Sequence, residues 1–361
     1  MKFAKKCMVY VGTASSNESG GIYSFEMDLK TGQLQPVEGP VKIYNPSYLA
    51  LDHKNRYLYS VTQTDKYNGE TGGAVAAFFI DPHTGKLHFI NEQPAHGKSL
   101  CHLSVDRMNQ CLFVADYHNG ALMTFPVLPD GSLAAESRLV AHSGSGPDLK
   151  RQEKAHVHFV SLTPDEKYLC VADLGIDQVK VYGFDSSNGV LSAAECFSLH
   201  IRPGYGPRHM EFHPDGRHAY LVNELVSSVT VLKYNPAQLL FEAIQYISTL
   251  PADYSGISYG AAVHVSPDGK FLFTSNRGHD TIAIFSIDQD SGTVEPVSYV
   301  STGGSWPRDF AMDPTGRFLF AANQDSDNIV PFKMNYINGE LERNGDAVLV
   351  SKPTCIKSAL L

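Results

Sequence analysis

VSPDGKFLFTSNRGHDTIAIFSID, residues 265–288, holds the grammar of the whole chain. Pro267-Asp268-Gly269 is a turn with a mechanism, since proline presets φ and glycine supplies a positive φ. An apolar run, Phe271 to Asn276, follows and ends on a small polar residue. After a short break, Thr281–Asp288 alternates apolar and polar residues, the pattern of a half-buried strand. Searching outward for the same run finds it ending at Thr13, Thr62, Asp116, Asp173, Asn223, Asn276 and Asn323, at intervals of 47 to 57 residues. An internal period of that size marks a repeat architecture.

Each copy adds an opening strand before the turn, as in HMEFH and FAMD. Each also has a Thr-Gly-x-Leu-like turn before a fourth strand, at Gly32, Gly85, Gly131, Gly189, Gly292 and Gly339. The fifth copy departs there, with Pro236-Ala237-Gln238. Four strands per unit of about 50 residues, repeated around a ring, make a β-propeller blade. The first copy lacks its opening strand and residues 353–361 read as a spare one, so the end of the chain is expected to complete the blade begun by residues 7–34. The sequence therefore predicts an all-β, closed seven-bladed propeller with four antiparallel strands per blade, as one domain over 1–361. No segment shows sustained helical periodicity.

Composition agrees and narrows the function. The chain has 361 residues, 43% hydrophobic and 19% charged, with a net charge of −9, which fits a globular protein with a large core. Without a basic cluster, nucleic acid and anionic membrane surfaces are poor partners. The start, MKFAKKCMVYVG, lacks a signal-peptide pattern, and no run of about 18 apolar residues occurs. Six scattered cysteines show no C-x-x-C spacing, which points to reduced, mostly buried thiols rather than a zinc or disulfide framework. These features lead us to expect a cytoplasmic protein.

A repeat carries its own control, because equivalent positions should match unless chemistry intervenes. At the start of the innermost strands the series is Ser47, Cys101, His158, Arg208, Ala261, Arg308, Thr354. Just past the second strands it is Ala14, Gln63, Tyr117, Leu174, Glu224, Arg277, Gln324. Antiparallel strands put both series on one rim of the central channel. His158, Arg208, Glu224, Arg277 and Arg308 depart from a small or neutral background, and a His, a Glu and three Arg suit an anionic small molecule with acid–base chemistry. On the same face lie long connections, including 142–155 with Lys150, Arg151 and Lys154, and the 63–73 hairpin tip. His156, Arg151 and Gln324 are auxiliary candidates for substrate contact. His213 and His218 flank a turn and read as structural, as do the recurring Asp116, Asp173, Asn223, Asn276 and Asn323. Neither a phosphate-binding loop nor a G-x-S-x-G or H-E-x-x-H motif occurs. One carboxylate among several cations is the wrong donor set for a metal, so neither metal nor cofactor is expected.

GPRHMEFHPDG (206–216), VNELVSSV (222–229), VSPDGKFLFTSNRGHDTIAIF (265–285) and WPRDFAMDPTGRFLFAANQDSDNI (306–329) resemble the lactonase family of seven-bladed propellers, with coverage through all blades. The resemblance implies site residues at His158, Arg208, Glu224 and Arg277, which the repeat had already isolated. It also implies hydrolysis of 6-phospho-D-glucono-1,5-lactone, with Glu224 or His158 as general base and the arginines on phosphate or oxyanion. Cycloisomerisation of a carboxylated muconate is the second reading, and a non-catalytic propeller binding a metabolite or protein is the third. One position departs from the family pattern: Ala262 stands where relatives usually carry an acidic residue.

Overall fold

The computed structural model describes residues 6–15, 20–62, 72–97 and 99–361. Gln63 and nearly all of the 63–73 hairpin tip lie outside them. Seven antiparallel sheets form the ring. Their innermost strands are Pro353–Leu360, Leu49–Leu51, Leu100–Val105, Val157–Leu162, Pro207–Phe212, Tyr259–Val265 and Pro307–Met312. In the first blade the order runs from Pro353–Leu360 through Cys7–Thr13 and Ile22–Met27 to Leu34–Val41. Cys7 pairs with Leu360 and Thr13 with Pro353, so the C-terminal strand closes the ring as the repeat predicted. Two three-residue 3₁₀ turns, Leu174–Ile176 and Gln324–Ser326, follow second strands on the channel rim. The seventh blade departs from the plain pattern, its outer edge being shared by Leu341–Arg343 and Val348–Leu349.

The core lies between blades, where alternating side chains of neighbouring sheets interlock. Between the sixth and seventh blades Phe273, Phe310, Ile282, Ile284 and Ala321 pack with no exposure. Cutting one such phenylalanine to alanine costs about 3–5 kcal/mol. The turns that deliver each second strand share one device. A side chain at the first turn position takes the N–H of the returning strand: Asp52 from Tyr57, Asp106 from Cys111, Ser266 from Phe271, Asp313 from Phe318. Gly269 sits at φ +74°, where a Cβ would lie 2.6 Å from the His213 ring, so the turn requires glycine there. Five of the six cysteines are buried and all six are unpaired.

The innermost strands share an irregularity that the sequence does not announce. Pairing with the second strand slips between Leu100 and His102, Val157 and Phe159, Pro207 and His209, and Pro307 and Asp309. In the sixth blade it slips between Gly260 and Val263. The residues squeezed out are Cys101, His158, Arg208, Arg308 and the pair Ala261-Ala262. These β-bulges re-aim a side chain that would otherwise pack between blades. Three of them carry rim residues singled out by the repeat, His158, Arg208 and Arg308.

Candidate active site

Glu224 follows the second strand of the fifth blade, and His218–Asn223 delivers it to the rim. Its Oε2 accepts from Arg208 Nε at 3.0 Å and lies 2.8 Å from Arg277 Nη2. Its Oε1 accepts from Arg151 Nη2. Arg208 comes from the bulge of the same blade, Arg277 from the end of the second strand of the sixth, and Arg151 from the 142–155 connection. That connection is pinned by His142 to Asp173 at 2.8 Å and by Gln152 Nε2 to the Leu174 carbonyl at 2.8 Å.

Glu224, Arg208 and Arg277 are all buried. Burial pushes the Glu224 carboxyl up, but Arg277 and Arg208 beside it, with help from His158 and Arg151, hold it well below the usual carboxylate range. Glu224 is therefore a fixed anion. Burial and the neighbouring Arg277 bring Arg208 down to about 9, which leaves it charged at neutral pH. Arg208 Nη1 also donates to the Ala261 carbonyl at 2.7 Å, and Arg277 Nη2 to the Gly260 carbonyl at 3.0 Å. Removing either partner of such a buried pair typically costs about 3–5 kcal/mol, because the other charge is left stranded.

His158 faces the cluster from the fourth blade. Burial first, then Arg208, depresses its pKa well below the ordinary imidazole value, so the ring is neutral at pH 7. Nδ1 is fully enclosed and has no hydrogen-bond partner among the described residues. Arg308, from the bulge of the seventh blade, is the cation of the group that makes neither hydrogen bond nor ion pair among the described residues. Burial and Arg277 lower its pKa too, yet its fork of donors is unspent. Four guanidinium groups thus surround one carboxylate, and the mouth as a whole is cationic in a chain whose net charge is negative.

The auxiliary candidates divide. Arg151 is in the cluster, its Nη2 also donating to the Tyr117 hydroxyl at 3.4 Å. His156 stands behind Tyr117: their rings stack at 4.4 Å, and its nitrogens engage the Tyr117 carbonyl at 2.9 Å and Glu153 at 3.2 Å. Gln324 lies on the rim in a 3₁₀ turn, its amide nitrogen bonded to Asp325 at 3.1 Å. Ala262 is enclosed in the apolar cluster around Phe310. Arg277 is oriented without an acid there, by Glu224, the Gly260 carbonyl and two rings, Tyr259 at 5.8 Å and Trp306 at 5.5 Å.

Those rings and carbonyls escaped the sequence reading. The one available signal was Trp306, the single tryptophan, placed two residues before Arg308. Its backbone lies in the left-handed region at φ 62°, held by an N–H bond to Asp280 Oδ1 at 2.8 Å. Far from the rim cluster, His213, Asp215 and His218 come together as a metal site would. His213, however, fills the turn slot taken elsewhere by Asp or Ser. Its two nitrogens meet the Gly269 carbonyl at 2.8 Å and the Asp215 N–H at 3.2 Å, which is a structural role.

The family described as lactonase, 7-bladed β-propeller, matches residues 8–358. A 6-phosphogluconolactonase of Bacillus subtilis (strain 168) is 43% identical over 352 residues, 98% of each chain. Among solved structures, a candidate 6-phosphogluconolactonase of Bacteroides fragilis superposes with a TM-score of 0.91 at 33% identity, covering 99% of both chains. A periplasmic gluconolactonase of Pseudomonas aeruginosa gives 0.90 at 32% identity, over 98% of this chain and 99% of its own.

Proposed function

The chain belongs to the lactonase family of seven-bladed β-propellers, whose activity is that of a lactone hydrolase, and from that premise we propose how its rim opens 6-phospho-D-glucono-1,5-lactone. Water adds to the C1 carbonyl, the ring C–O bond breaks, and 6-phosphogluconate and a proton leave. The observation that carries the substrate is the excess of guanidinium: Arg308 has an unspent donor fork, and Arg151 is the outermost group on Glu224. Both suit a phosphate, which planar guanidinium binds through two parallel hydrogen bonds.

Glu224 takes the proton from the attacking water. Among the described residues its Oε1 is held by Arg151 alone, so turning Arg151 to the substrate phosphate frees that oxygen. General-base help of this kind is worth ~10²–10⁴ in rate. His158 supplies a donor. An enclosed N–H without an acceptor would cost about 1–3 kcal/mol, so Nδ1 is the bare nitrogen and Nε2 carries the hydrogen. Nε2–H then donates to the lactone carbonyl as it becomes an oxyanion, a contribution of about 10²–10³ for one such donor in other enzymes. Arg208 and Arg277 hold the carboxylate and add positive potential. In this reading the ring over 1–361 is one catalytic unit, acting in the cytoplasm on the lactone of the oxidative pentose phosphate pathway.

Acid release from freshly made 6-phosphogluconolactone, against its spontaneous hydrolysis, tests the assignment. Wild type should accelerate it, and Glu224→Gln should lose ~10²-fold or more. If wild type is inert on this lactone but opens glucono-1,5-lactone, the phosphate assignment fails while the lactonase chemistry stands. Turnover of a carboxylated muconate alone would overturn both.

A further inference from the structure

The propeller channel is not an open tube. Below the rim the rings of Tyr48, His102, Phe159 and His209 meet: 4.3 Å from Tyr48 to His102, 4.5 Å from His102 to Phe159 and 5.2 Å from His102 to His209. His158 touches this plug from the rim side, 5.2 Å from His209. On the far side the inner strands line an open-mouthed chamber of about 480 Å³, with Ser104, Glu211, His264 and Lys357 in its wall. None of the rim cluster lines it.

Its polar groups are unevenly satisfied, and the imbalance has a direction. The acceptors are engaged: Glu211 takes His264 Nδ1 at 2.6 Å and the Val265 N–H at 3.0 Å, and Asp309 takes the Ile356 N–H at 2.9 Å. The donors are not. Lys357 Nζ has three hydrogens, one partner, the Tyr48 hydroxyl at 3.4 Å, and no carboxylate within 4.0 Å among the described residues. Tyr48, accepting from Lys357, keeps its own hydrogen. His102 Nδ1 accepts from the Val160 N–H at 3.4 Å, which fixes the hydrogen on Nε2. Ser104 lies in the wall as well, its Oγ enclosed in the protein and without a partner among the described residues. His264 pairs with Glu211 at 2.6 Å and lies 3.8 Å from Asp309, which leaves Lys357 without a direct ion pair, while the two carboxylates disfavour a ligand with more than one negative charge.

We propose that this chamber is a second small-molecule site, distinct from the rim, that takes a small organic monocarboxylate with Lys357 as its counter-charge. Its volume falls in the range of ligand pockets, ~300–1,000 Å³. The Tyr48 hydroxyl and His102 Nε2–H belong to the same wall as Lys357 and can share the carboxylate. Burial keeps His102 neutral, so it acts as a donor without charge.

Titration of the full chain with sodium lactate, followed through the histidine ring C–H signals by NMR, tests this. Saturable shifts should appear at His102 and His264. Lys357→Met should weaken the binding ~tenfold or more, the loss expected for one charge-assisted hydrogen bond. Ser104→Leu, which fills the chamber and leaves the lysine in place, should abolish the shifts as well. Glu224→Gln should leave them unchanged, which separates this site from the rim. Shifts confined to His158, equal binding in folded Lys357→Met, or no saturable shift in wild type would each overturn the proposal.

Discussion

Arg208 and Arg308 occupy equivalent bulges and have opposite circumstances. Arg208 is tied to Glu224 and a carbonyl, while Arg308 is tied to neither. Replacing each with methionine should therefore separate folding from binding. Arg208→Met is expected to lower unfolding free energy by about 3–5 kcal/mol, because it strands a buried carboxylate. Arg308→Met should leave denaturant midpoints unchanged and raise KM for the phosphorylated lactone ~tenfold or more. The pH profile follows from the same residues. Glu224 is held below its ordinary 4.5 and His158 below 6.5, so neither changes charge between about pH 5 and 8. Measured kcat should be flat over that window and fall on the acid side only as Glu224 is protonated, below pH 4.5; an inflection near 6.5 in kcat would place a different group in the chemistry. The repeat exposed these side chains because they break a local rule. It was silent about the Ala261 and Gly260 carbonyls and the Tyr259 ring, since a backbone acceptor has no residue-type signature and a ring's role depends on which blade approaches it.

At the level of strands and connections, the bulges explain why the rim was readable without its geometry. The period-2 pattern finds the inner strands, but whether a residue is squeezed out depends on pairing with the partner strand, and nothing in Val157-His158-Phe159 alone declares it. The turn slot was the reverse case. Asp, Ser and His serve there, and so does Thr163, which takes the Tyr168 N–H at 3.2 Å, so the position is legible by place and not by residue, and that is what makes His213 structural. The 142–155 connection reads as a charged loop in the sequence; the structure selects Arg151 from its three cations as the one on Glu224. If Arg151 trades Glu224 for a phosphate, Arg151→Met should raise KM for 6-phosphogluconolactone several-fold and leave glucono-1,5-lactone opening unimpaired. Steady-state kinetics on the two substrates decide this, and equal losses on both would assign Arg151 to holding Glu224 alone.

Seven blades of similar plan distribute the core around the ring rather than concentrating it, and each blade depends on its neighbours to cover its faces. An open array of this kind would end in unpaired strand edges; here Pro353–Leu360 lies against Cys7–Thr13, and the Leu361 N–H reaches the Lys6 carbonyl at 2.9 Å. That closure was legible because one copy lacked a strand and the far end supplied one. It also makes the order in which the blades are written down arbitrary. A gene that links Leu361 through a short glycine tether to the first strand, and begins instead at Ser291 in the exposed turn after Asp290, should encode the same ring with the same lactonase activity. Beginning it at Lys150, beside the exposed Leu149, should give a ring of comparable thermal stability whose rim has lost the anchorage of Arg151. For this molecule, start and end are properties of the message, and the fold itself has neither.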